Sequence, residues 1–523
     1  MSTNKRVLPA DNDGLGSTSP SSALPAELFE HIFLYVTESP RNAKALPKGN
    51  PLTEVTLSHV CSKWRTVAIR CTRLWCYITN DGDDREHLPE RFRIYLERSK
   101  DRLLEISVSF CSYLRSAVLV EQEILEILAE CSSRWRCVSI SVTDYVDLMD
   151  ERGQFRTPLR LCEAPRLEFF KFSINSGCGH HFPFRSNLKP NALLGGCPKL
   201  SYLQLDDSSL SAFLPQISNV TVLDIDISNN SQSHIAWPVF LDIAKLPLTA
   251  LSVIDHEQQG LSGLQLIDFP IDMPHLKHLR WTTRNAEENC IPLCSVVITL
   301  LRAPSLETLS LFDVSLEDIL DNPRTWIPNL RSMVVVDCQD ISSECILNLS
   351  SASPNLTDLV IVTTEDCHPR PRSLLSCIGE LSESRSIEAG EYPWPKLRTI
   401  VAHLEQDPQL DIYRTFARRR FQAFIACGGD ENALPPLMLK VPEKYLDQWA
   451  YMSVQGGEDC GEEDEDEDEK KHFDLGLAGG GLLQSISVED YPAWLHGAEK
   501  PVRSAMFVEA NEFSWDFRFW GLA

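Results

Sequence analysis

The hydrophobic positions near the start of the chain repeat with helical spacing. Apolar residues recur at intervals of three and four over Leu24–Val36, which predicts an amphipathic helix with Pro25 in its first turn. The same spacing over Leu57–Ala68 predicts a second helix, and Leu74–Trp75 closes the unit as a short third element. Because this unit has few apolar residues, its own core is marginal. We therefore expect it to pack against a further domain or a partner.

A strand, a helix and a second strand follow. Polar and apolar residues alternate over Leu103–Phe110 and again over Trp135–Val142, which predicts two strands. The intervening run Leu119–Ala129 has helical spacing. This order predicts a parallel crossover.

An internal repeat then dominates the chain. The pattern L-x-x-L-x-L occurs nine times, and in seven copies a proline stands two residues before the first position. The first positions are Leu167, Leu200, Val220, Leu248, Leu276, Leu306, Leu330, Leu356 and Leu397. Each copy predicts one short parallel strand whose apolar points enter a shared core, because a single repeat cannot bury its own face. A generic α/β domain with parallel strands is the alternative.

The first unit resembles an F-box, the helical motif that docks on a Skp-type adaptor. The residues that carry this resemblance are Leu24, Pro25, Leu28, Ile32, Phe33, Leu57, Val60, Cys61, Trp64, Leu74 and Trp75. By its phase in the second helix, Cys61 is predicted to be buried. The loop Thr37–Pro51 is longer than in compact F-boxes. The alternative is an ordinary three-helix cap on the domain behind it.

The nine copies resemble a leucine-rich-repeat array in the irregular form that follows many F-boxes, as in fungal-type F-box proteins. The asparagine or cysteine typical of that family, eight residues after the first leucine, occurs only as Asn175 and Cys338. The predicted fold class is therefore α/β: a three-helix F-box followed by an irregular leucine-rich-repeat-like solenoid with parallel strands.

Five regions follow from these patterns. They are a disordered N-terminus (1–22), the F-box (23–78), a linker with the first strand–helix–strand units (79–160), the repeat array (161–405) and a C-terminal capping region (406–523). Within the last region, Tyr413–Ile425 is predicted to be helical and the acidic run 455–471 to be a disordered loop. The alternation over Phe513–Phe519 predicts a strand that caps the array.

Side chains alternate along a strand, so the residues four and six places after each first leucine are predicted to face solvent. In the later repeats these positions are apolar, and two interpretations are open: the C-terminal segment covers them, or they form an exposed recognition patch. The predicted client-binding residues are Asp206, Asp224, Asp226, Arg280, Phe312, Val336 and Val362.

Composition narrows the range of partners. The formal net charge of −25 argues against binding to nucleic acid or an anionic membrane surface. The 17 cysteines have no framework spacing, and the chain starts without a secretory signal, which predicts an intracellular protein of the cytoplasm or nucleus. The most apolar run, Cys290–Leu301, is too short to span a bilayer.

No catalytic motif stands out, and we expect no cofactor and no metal. Cys178–His181 and the Cys290/Cys294 pair contain metal-ligand residue types but no second pair at zinc-finger spacing, so structural cysteines are the better interpretation.

The two resemblances imply a substrate-receptor subunit of an SCF-type ubiquitin ligase. The F-box would bind a Skp-type adaptor and through it a cullin scaffold, and the repeats would present a protein client. The chain itself would perform no bond chemistry. Two alternatives are open: a non-catalytic interaction scaffold whose F-box-like helices cap the repeats, and an enzyme with an unrecognised site in the C-terminal region.

Overall fold

The sheet is built from parallel strands that follow one another in chain order. The computed structural model describes residues 24–42, 52–80, 87–111, 115–143, 158–175, 188–227, 237–256, 270–284, 293–312, 314, 327–336, 338, 343–363, 394, 396–404, 438–441 and 483–485. The predicted 1–22, 413–425, 455–471 and 513–519 segments lie outside these residues.

The described helices fall into an N-terminal group and a set of connections between strands. They are α1 (Ala26–Asn42), α2 (Thr53–His59), α3 (Ser62–Arg70), α4 (Leu88–Ser99), α5 (Arg115–Glu130), α6 (Asp207–Ala212), α7 (Trp237–Ala244), α8 (Leu293–Leu300) and α9 (Ser343–Ala352). Three 3₁₀ turns cover Thr72–Trp75, Ser132–Arg134 and Pro158–Leu161. No described helix has the length and apolar character that crossing a membrane requires.

Sixteen strands complete the secondary structure of the described residues. They are β1 (Tyr77–Thr79), β2 (Leu104–Cys111), β3 (Trp135–Thr143), β4 (Phe169–Asn175), β5 (Tyr202–Asp206), β6 (Val222–Asp226), β7 (Ala250–His256), β8 (Ile271–Asp272), β9 (His278–Arg284), β10 (Leu301–Arg302), β11 (Thr308–Phe312), β12 (Ser332–Val336), β13 (Asp358–Thr363), β14 (Thr399–Leu404), β15 (Met438–Val441) and β16 (Leu483–Ser485). Fourteen of them form one sheet in sequential order, and β8 pairs with β10 separately. The predicted α/β class with parallel strands is confirmed.

One row of apolar side chains crosses the sheet in register. It consists of Ile78, Ile106, Val138, Phe170, Leu203, Leu223, Leu251, Leu279, Leu309, Met333, Leu359 and Ile400. Each of these side chains is at most 3% exposed. From Phe170 onwards they are the second points of the nine predicted repeats, so each predicted copy lies on a strand. We call the face that carries this row the core face.

The same register begins before the predicted array. Trp75, Leu103 and Trp135 stand three residues before members of the row, as the first leucine does in every later copy. In the first and third of these copies a tryptophan stands where the repeat pattern has leucine, so the pattern does not identify them. The 79–160 segment, predicted as a linker with the first strand–helix–strand units, thus supplies β2 and β3 of the main sheet, and β1 lies at its start.

A tight turn explains the repeated proline. In the copy that begins at Leu200, the amide of that leucine donates to the carbonyl of Cys197 across Pro198 and Lys199, at 3.0 Å. The same bond spans Ala303 to Leu306 at 3.0 Å and Ser353 to Leu356 at 3.2 Å. Proline occupies the second position of each turn, where its fixed φ favours the bend. In the copies that carry it, the proline thus favours the turn from which the strand enters the sheet.

Polar side chains tie successive turns together. The Nδ2 of Asn329 donates to the carbonyl of Pro304 at 2.7 Å, and that of Asn355 donates to the carbonyl of Pro328 at 2.6 Å. The Oδ1 of Asn355 also accepts from Lys396 Nζ at 2.6 Å. These residues stand directly before the first leucine, rather than eight places after it. They therefore make the contacts between repeats at a position that the family pattern does not mark.

The N-terminal helices differ from their prediction in two respects. Helix α1 continues to Asn42, so the predicted loop Thr37–Pro51 begins later, and residues 43–51 lie outside the described part of the chain. The second predicted helix is two helices, because Cys61 adopts an extended conformation with φ −157° and ψ 172°. Its thiol accepts from the amide of Trp64 at 3.4 Å and caps α3.

The N-terminal helices share one core with the sheet. The buried side chains form a continuous cluster from Phe29 in α1 to Ile400 in β14. At the junction, the Trp75 indole donates to the carbonyl of Ala68 at 2.8 Å, and Tyr95 of α4 meets Trp75 edge-on with ring centroids 5.1 Å apart. The Tyr95 hydroxyl also donates to the buried carboxylate of Glu54 in α2.

The bonds between turns predict a modest but measurable contribution to stability. Replacing Asn355 with alanine removes a donor and an acceptor that link three repeats, and we expect the free energy of unfolding to fall by about 1 kcal/mol. Chemical denaturation would measure the change. Lys199→Ala is a matched control at the same turn position and is expected to change stability by less than about 0.5 kcal/mol. Equal effects of the two substitutions would contradict a role for the asparagine bonds.

Candidate functional site

Three aromatic rings hold α1 against α3. Trp64 packs on Phe29 and Phe33 with ring centroids 5.7 and 5.0 Å apart, and both phenylalanines are buried. Lys63 Nζ donates to the carbonyl of Leu24 at 3.0 Å and fixes the chain where α1 begins. One side of α1 is therefore occupied by the rest of its own unit.

The other side of α1 leaves an apolar stripe uncovered. Leu28, Ile32, Tyr35 and Val36 recur at helical spacing and are 47%, 43%, 75% and 38% exposed. We call these four residues the α1 stripe. Leu24 just before the helix and Val60 between α2 and α3 are 37% and 57% exposed. An exposed apolar surface on packed helices is typical of a partner-binding site.

The structure divides the predicted adaptor-docking residues into two groups. Phe33, Leu57, Leu74 and Trp75 are buried, and Trp64 is half-buried, so these residues hold the unit together. The exposed group consists of Leu24, Pro25, Leu28, Ile32, Val60 and Cys61. The prediction that Cys61 is a buried helix residue is wrong, because the break between α2 and α3 moves it to the exposed start of α3.

A second candidate surface is the face of the sheet opposite the core face. The residues predicted to face solvent do lie on this opposite face, but most of them are buried. Asp224, Arg280 and Phe312 are each 5% exposed, and Asp206 is 2% exposed. Both faces of a parallel sheet are commonly covered, and the prediction of a solvent-facing row is wrong for these side chains.

The apolar end of the opposite face is also buried. Phe312, Val334, Val336 and Val360 are between 1% and 5% exposed, so the interpretation of an exposed apolar patch is wrong for them. The burial of Val362 lies outside what is described. Near the other end, Cys137, Phe169 and Tyr202 form a small second hydrophobic cluster on the same face.

Asp206 has a structural role. Its Oδ1 accepts from the amide of Ser209 at 2.7 Å and caps the first turn of α6. Its other carboxylate oxygen accepts from the amide of Ile174 on the neighbouring strand. The carboxylate therefore joins β4, β5 and α6.

A row of polar side chains crosses six adjacent strands of the opposite face. In order across β4, β5, β6, β7, β9 and β11 it consists of Lys171, Gln204, Asp224, Ser252, Arg280 and Ser310. We call these six residues the polar row. Asp226 lies beside it, two residues beyond Asp224. The structure thus brings three of the predicted client-binding residues together: Asp224, Asp226 and Arg280.

Several acceptors and hydroxyls of this region are buried without a hydrogen bond. Gln204 Oε1, Asp224 Oδ1, Thr282 Oγ1 and Ser310 Oγ receive or donate none among the residues that the structure describes. Burial raises the pKa of the Asp224 carboxyl, while the positive charge of Arg280 opposes this rise. A buried carboxylate with an oxygen that accepts no hydrogen bond lowers the stability of the folded chain.

The described residues of the two candidate surfaces were compared with the requirements of a metal site. Within the described ranges, no group of three His, Cys, Asp or Glu side chains could hold a metal ion. Cys178–His181 and Cys290 lie outside those ranges. No protein-family model matches the chain, and no curated protein matches it.

The polar row was only partly visible in the sequence. The repeat register identified Asp224 and Arg280, but Ser252 and Ser310 are small residues of a kind that is frequent on any strand surface. Their significance depends on burial and on neighbours from other strands, and neither is encoded locally. The available signal was a polar residue four places after the first position in six successive copies.

The raised pKa of Asp224 predicts that its neutral isostere stabilises the protein. The carboxyl faces Lys171, Tyr202, Asp226 and Arg280, and burial outweighs the attraction of the cations. Below the unfolded pKa the carboxyl is protonated in both states, and Asp224→Asn should have little effect. As pH rises the unfolded state ionises first, so we expect Asp224→Asn to gain stability over the parent, by about 1 kcal/mol or more at pH 7.

Denaturation of both proteins at several pH values between 3 and 8 would measure this difference. Asp272→Asn, at an exposed position, is the control and should show no such trend. A variant whose stability falls relative to the parent as pH rises would contradict the prediction.

Proposed function

We propose that this protein is the substrate-receptor subunit of an SCF-type ubiquitin ligase, which binds a Skp-type adaptor through an F-box formed by α1–α3. The observation that carries this proposal is the exposed α1 stripe. It lies on a helical unit whose interior is already filled by Phe29, Phe33 and Trp64. Two of its four side chains, Leu28 and Ile32, belong to the residues that carry the resemblance to an F-box.

A simple cap would use its apolar residues to cover the sheet. Here α1 to α3 do pack into the common core through Leu74 and Trp75, and yet the α1 stripe stays uncovered. Four large apolar side chains within two and a half helical turns lower solubility unless a partner covers them. The stripe therefore supports docking over a cap alone.

The finer architecture belongs to the same proposal. We interpret the sheet as an irregular leucine-rich-repeat-like solenoid, which starts at Trp75 directly behind the F-box. Sequential strand order, a turn before the strand and asparagine bonds between neighbouring turns all support a stack of similar units. In such a stack each repeat is stabilised mainly by its neighbours.

The junction between helices and sheet supports a receptor of fixed geometry. Trp75 is the last residue of the helical unit and also occupies the first apolar point of the β1 copy. Arg98 of α4 lies over its ring at 4.3 Å, and Glu54 of α2 accepts from Tyr95. A client on the sheet would be held at a constant distance from the adaptor, so the contribution of the chain would be proximity and orientation rather than bond chemistry.

The exposed stripe gives the sharpest test of this function. Leu28→Asp places a charge at the N-terminal end of the stripe without removing any ring of the buried aromatic cluster. We expect the affinity for a Skp-type adaptor to fall by at least about thirtyfold, because a buried anchor of this kind contributes about 2 kcal/mol or more. Co-purification and titration of the full chain with the adaptor would measure the loss.

Leu194→Asp is a matched control, since Leu194 is 48% exposed and lies in a loop before β5. It should bind the adaptor as the parent does. Trp64→Ala should also weaken binding, through loss of packing in the helical unit, and should lower the melting temperature as well. Retained binding by Leu28→Asp would overturn the docking assignment and favour the scaffold alternative.

A further inference from the structure

Four successive copies of the repeat carry a cation directly before their first position. These cations are Arg102, Arg134, Arg166 and Lys199, and their copies supply the adjacent strands β2, β3, β4 and β5. We call these four residues the basic row. Adjacent strands are about 4.8 Å apart, so the row extends over roughly 15 Å along the side of the sheet where the strands begin.

Residues at this position in neighbouring copies lie next to one another. Arg134 Nε donates to the main-chain carbonyl of Arg102 at 3.0 Å. In the later copies, Lys396 Nζ donates to Asn355 Oδ1 at 2.6 Å. The position therefore brings adjacent copies into contact near both ends of the array, and the basic row is a continuous line of charge.

Elsewhere in the array this position ties the turns together. Besides the two asparagines described above, Asn219 Nδ2 donates to the carbonyl of Pro198 at 2.8 Å. Ser305 Oγ likewise donates to the carbonyl of Pro274 at 2.7 Å. A short polar side chain is thus sufficient for the structural role of this position.

Three members of the basic row make little or no use of such contacts. The side chains of Arg166 and Lys199 are exposed and form no hydrogen bond with a described residue. Arg102 is also exposed, and within the described part of the chain only its Nε is bonded, to Thr72 Oγ1 at 3.2 Å. Most of their donors are therefore available to a partner.

Arg134 holds the row in place. Its Nη1 donates to the carbonyl of Leu96 at 3.4 Å and its Nη2 donates to Ser99 Oγ at 2.6 Å. Both acceptors belong to the last turn of α4, where the helix dipole favours a cation. Arg134 thus contributes charge to the row, while the other three members supply the free donors.

The row concentrates positive charge in a chain whose formal net charge is −25. No member forms an ion pair with a carboxylate among the described residues, although Asp101, Glu163 and Glu168 are close in sequence. Like charges on adjacent strands repel one another and lower stability. An anionic partner would remove this repulsion, and the fold itself gains nothing from the four cations.

We propose that the basic row binds an acidic segment of a partner protein, whose Asp and Glu carboxylates accept from Arg102, Arg166 and Lys199. An extended chain rises about 3.3 Å per residue, so about five residues span the row. Each guanidinium can hold a carboxylate through two parallel hydrogen bonds. This surface shares no residue with the α1 stripe, and it does not depend on adaptor docking.

Binding of a fluorescent octaglutamate peptide to the full chain tests the proposal. The chain as a whole repels an anion, so binding of this peptide reports a local basic site. We expect saturable binding at roughly 50 mM salt that weakens as salt is added. An octaglutamine peptide should not bind.

Charge reversal locates the site. The double variant Arg166→Glu/Lys199→Glu should lose at least about tenfold in affinity, because two attractive contacts become repulsive. The matched control Arg331→Glu/Arg398→Glu reverses two exposed arginines that directly follow the first positions of later copies, and it should bind as the parent does. The neutral pair Arg166→Gln/Lys199→Gln should lose about threefold, and it decides the question if thermal unfolding shows that the reversed pair is misfolded.

Three results would overturn the proposal. The first is the absence of octaglutamate binding by the parent. The second is an equal loss in the two charge-reversal variants, which would indicate an effect of bulk charge. The third is binding of a peptide with one phosphoserine and no acidic residue in place of octaglutamate, which would indicate phosphate recognition. Adaptor binding is measured separately through Leu28→Asp, so either proposal can fail without the other.

Discussion

Every strand of the main sheet from β1 to β14 places an apolar side chain in the same row, and this register connects the parts of the protein. The row is buried from Ile78 to Ile400, and no single repeat could bury its own member. Because the side-chain period of a strand is two, a slip of one residue in any copy would move its apolar points to the other face. In the seven copies that carry it, the proline turn opposes such slips by fixing where the strand begins.

The same register reaches back into the N-terminal helices. Trp75 ends the helical unit and starts the first copy, and its indole is bound to Ala68 and packed against Tyr95. The α1 stripe therefore projects from a unit that the sheet supports. Phe29 and Phe33 face inwards and fill the core of the helical unit. The exposed residues next to them in α1 can therefore contact a partner without disturbing that core.

The opposite face obeys a different constraint. Many of its described side chains are buried; they are apolar at Val334, Val336 and Val360, and polar in the row that contains Asp224. Polar groups buried without partners are costly, and a fold that retains several of them on neighbouring strands carries less stability than an apolar face would give. The concentration of buried polar groups distinguishes the polar row from the apolar residues Val334, Val336 and Val360 on the same face.

Much of this organisation followed from the sequence. The helical spacing over Leu24–Val36 and the nine leucine copies gave the α/β class and the second point of each strand, because periodicity and turn chemistry act over short distances. The three earlier copies were missed because tryptophan replaces the first leucine in two of them. The break at Cys61 was missed because the apolar spacing continues through it.

Burial was decided only by the tertiary structure. Leu28 and Phe29 are neighbours of equal hydrophobicity, and only the position of Trp64 makes one exposed and the other buried. Likewise the alternation predicted that Asp224 and Arg280 lie on the opposite face of the sheet, but it did not predict that they are buried there. The sequence determined which side chains share a row. Whether water reaches that row depends on parts of the chain that are far apart in sequence. Only the tertiary packing decided it.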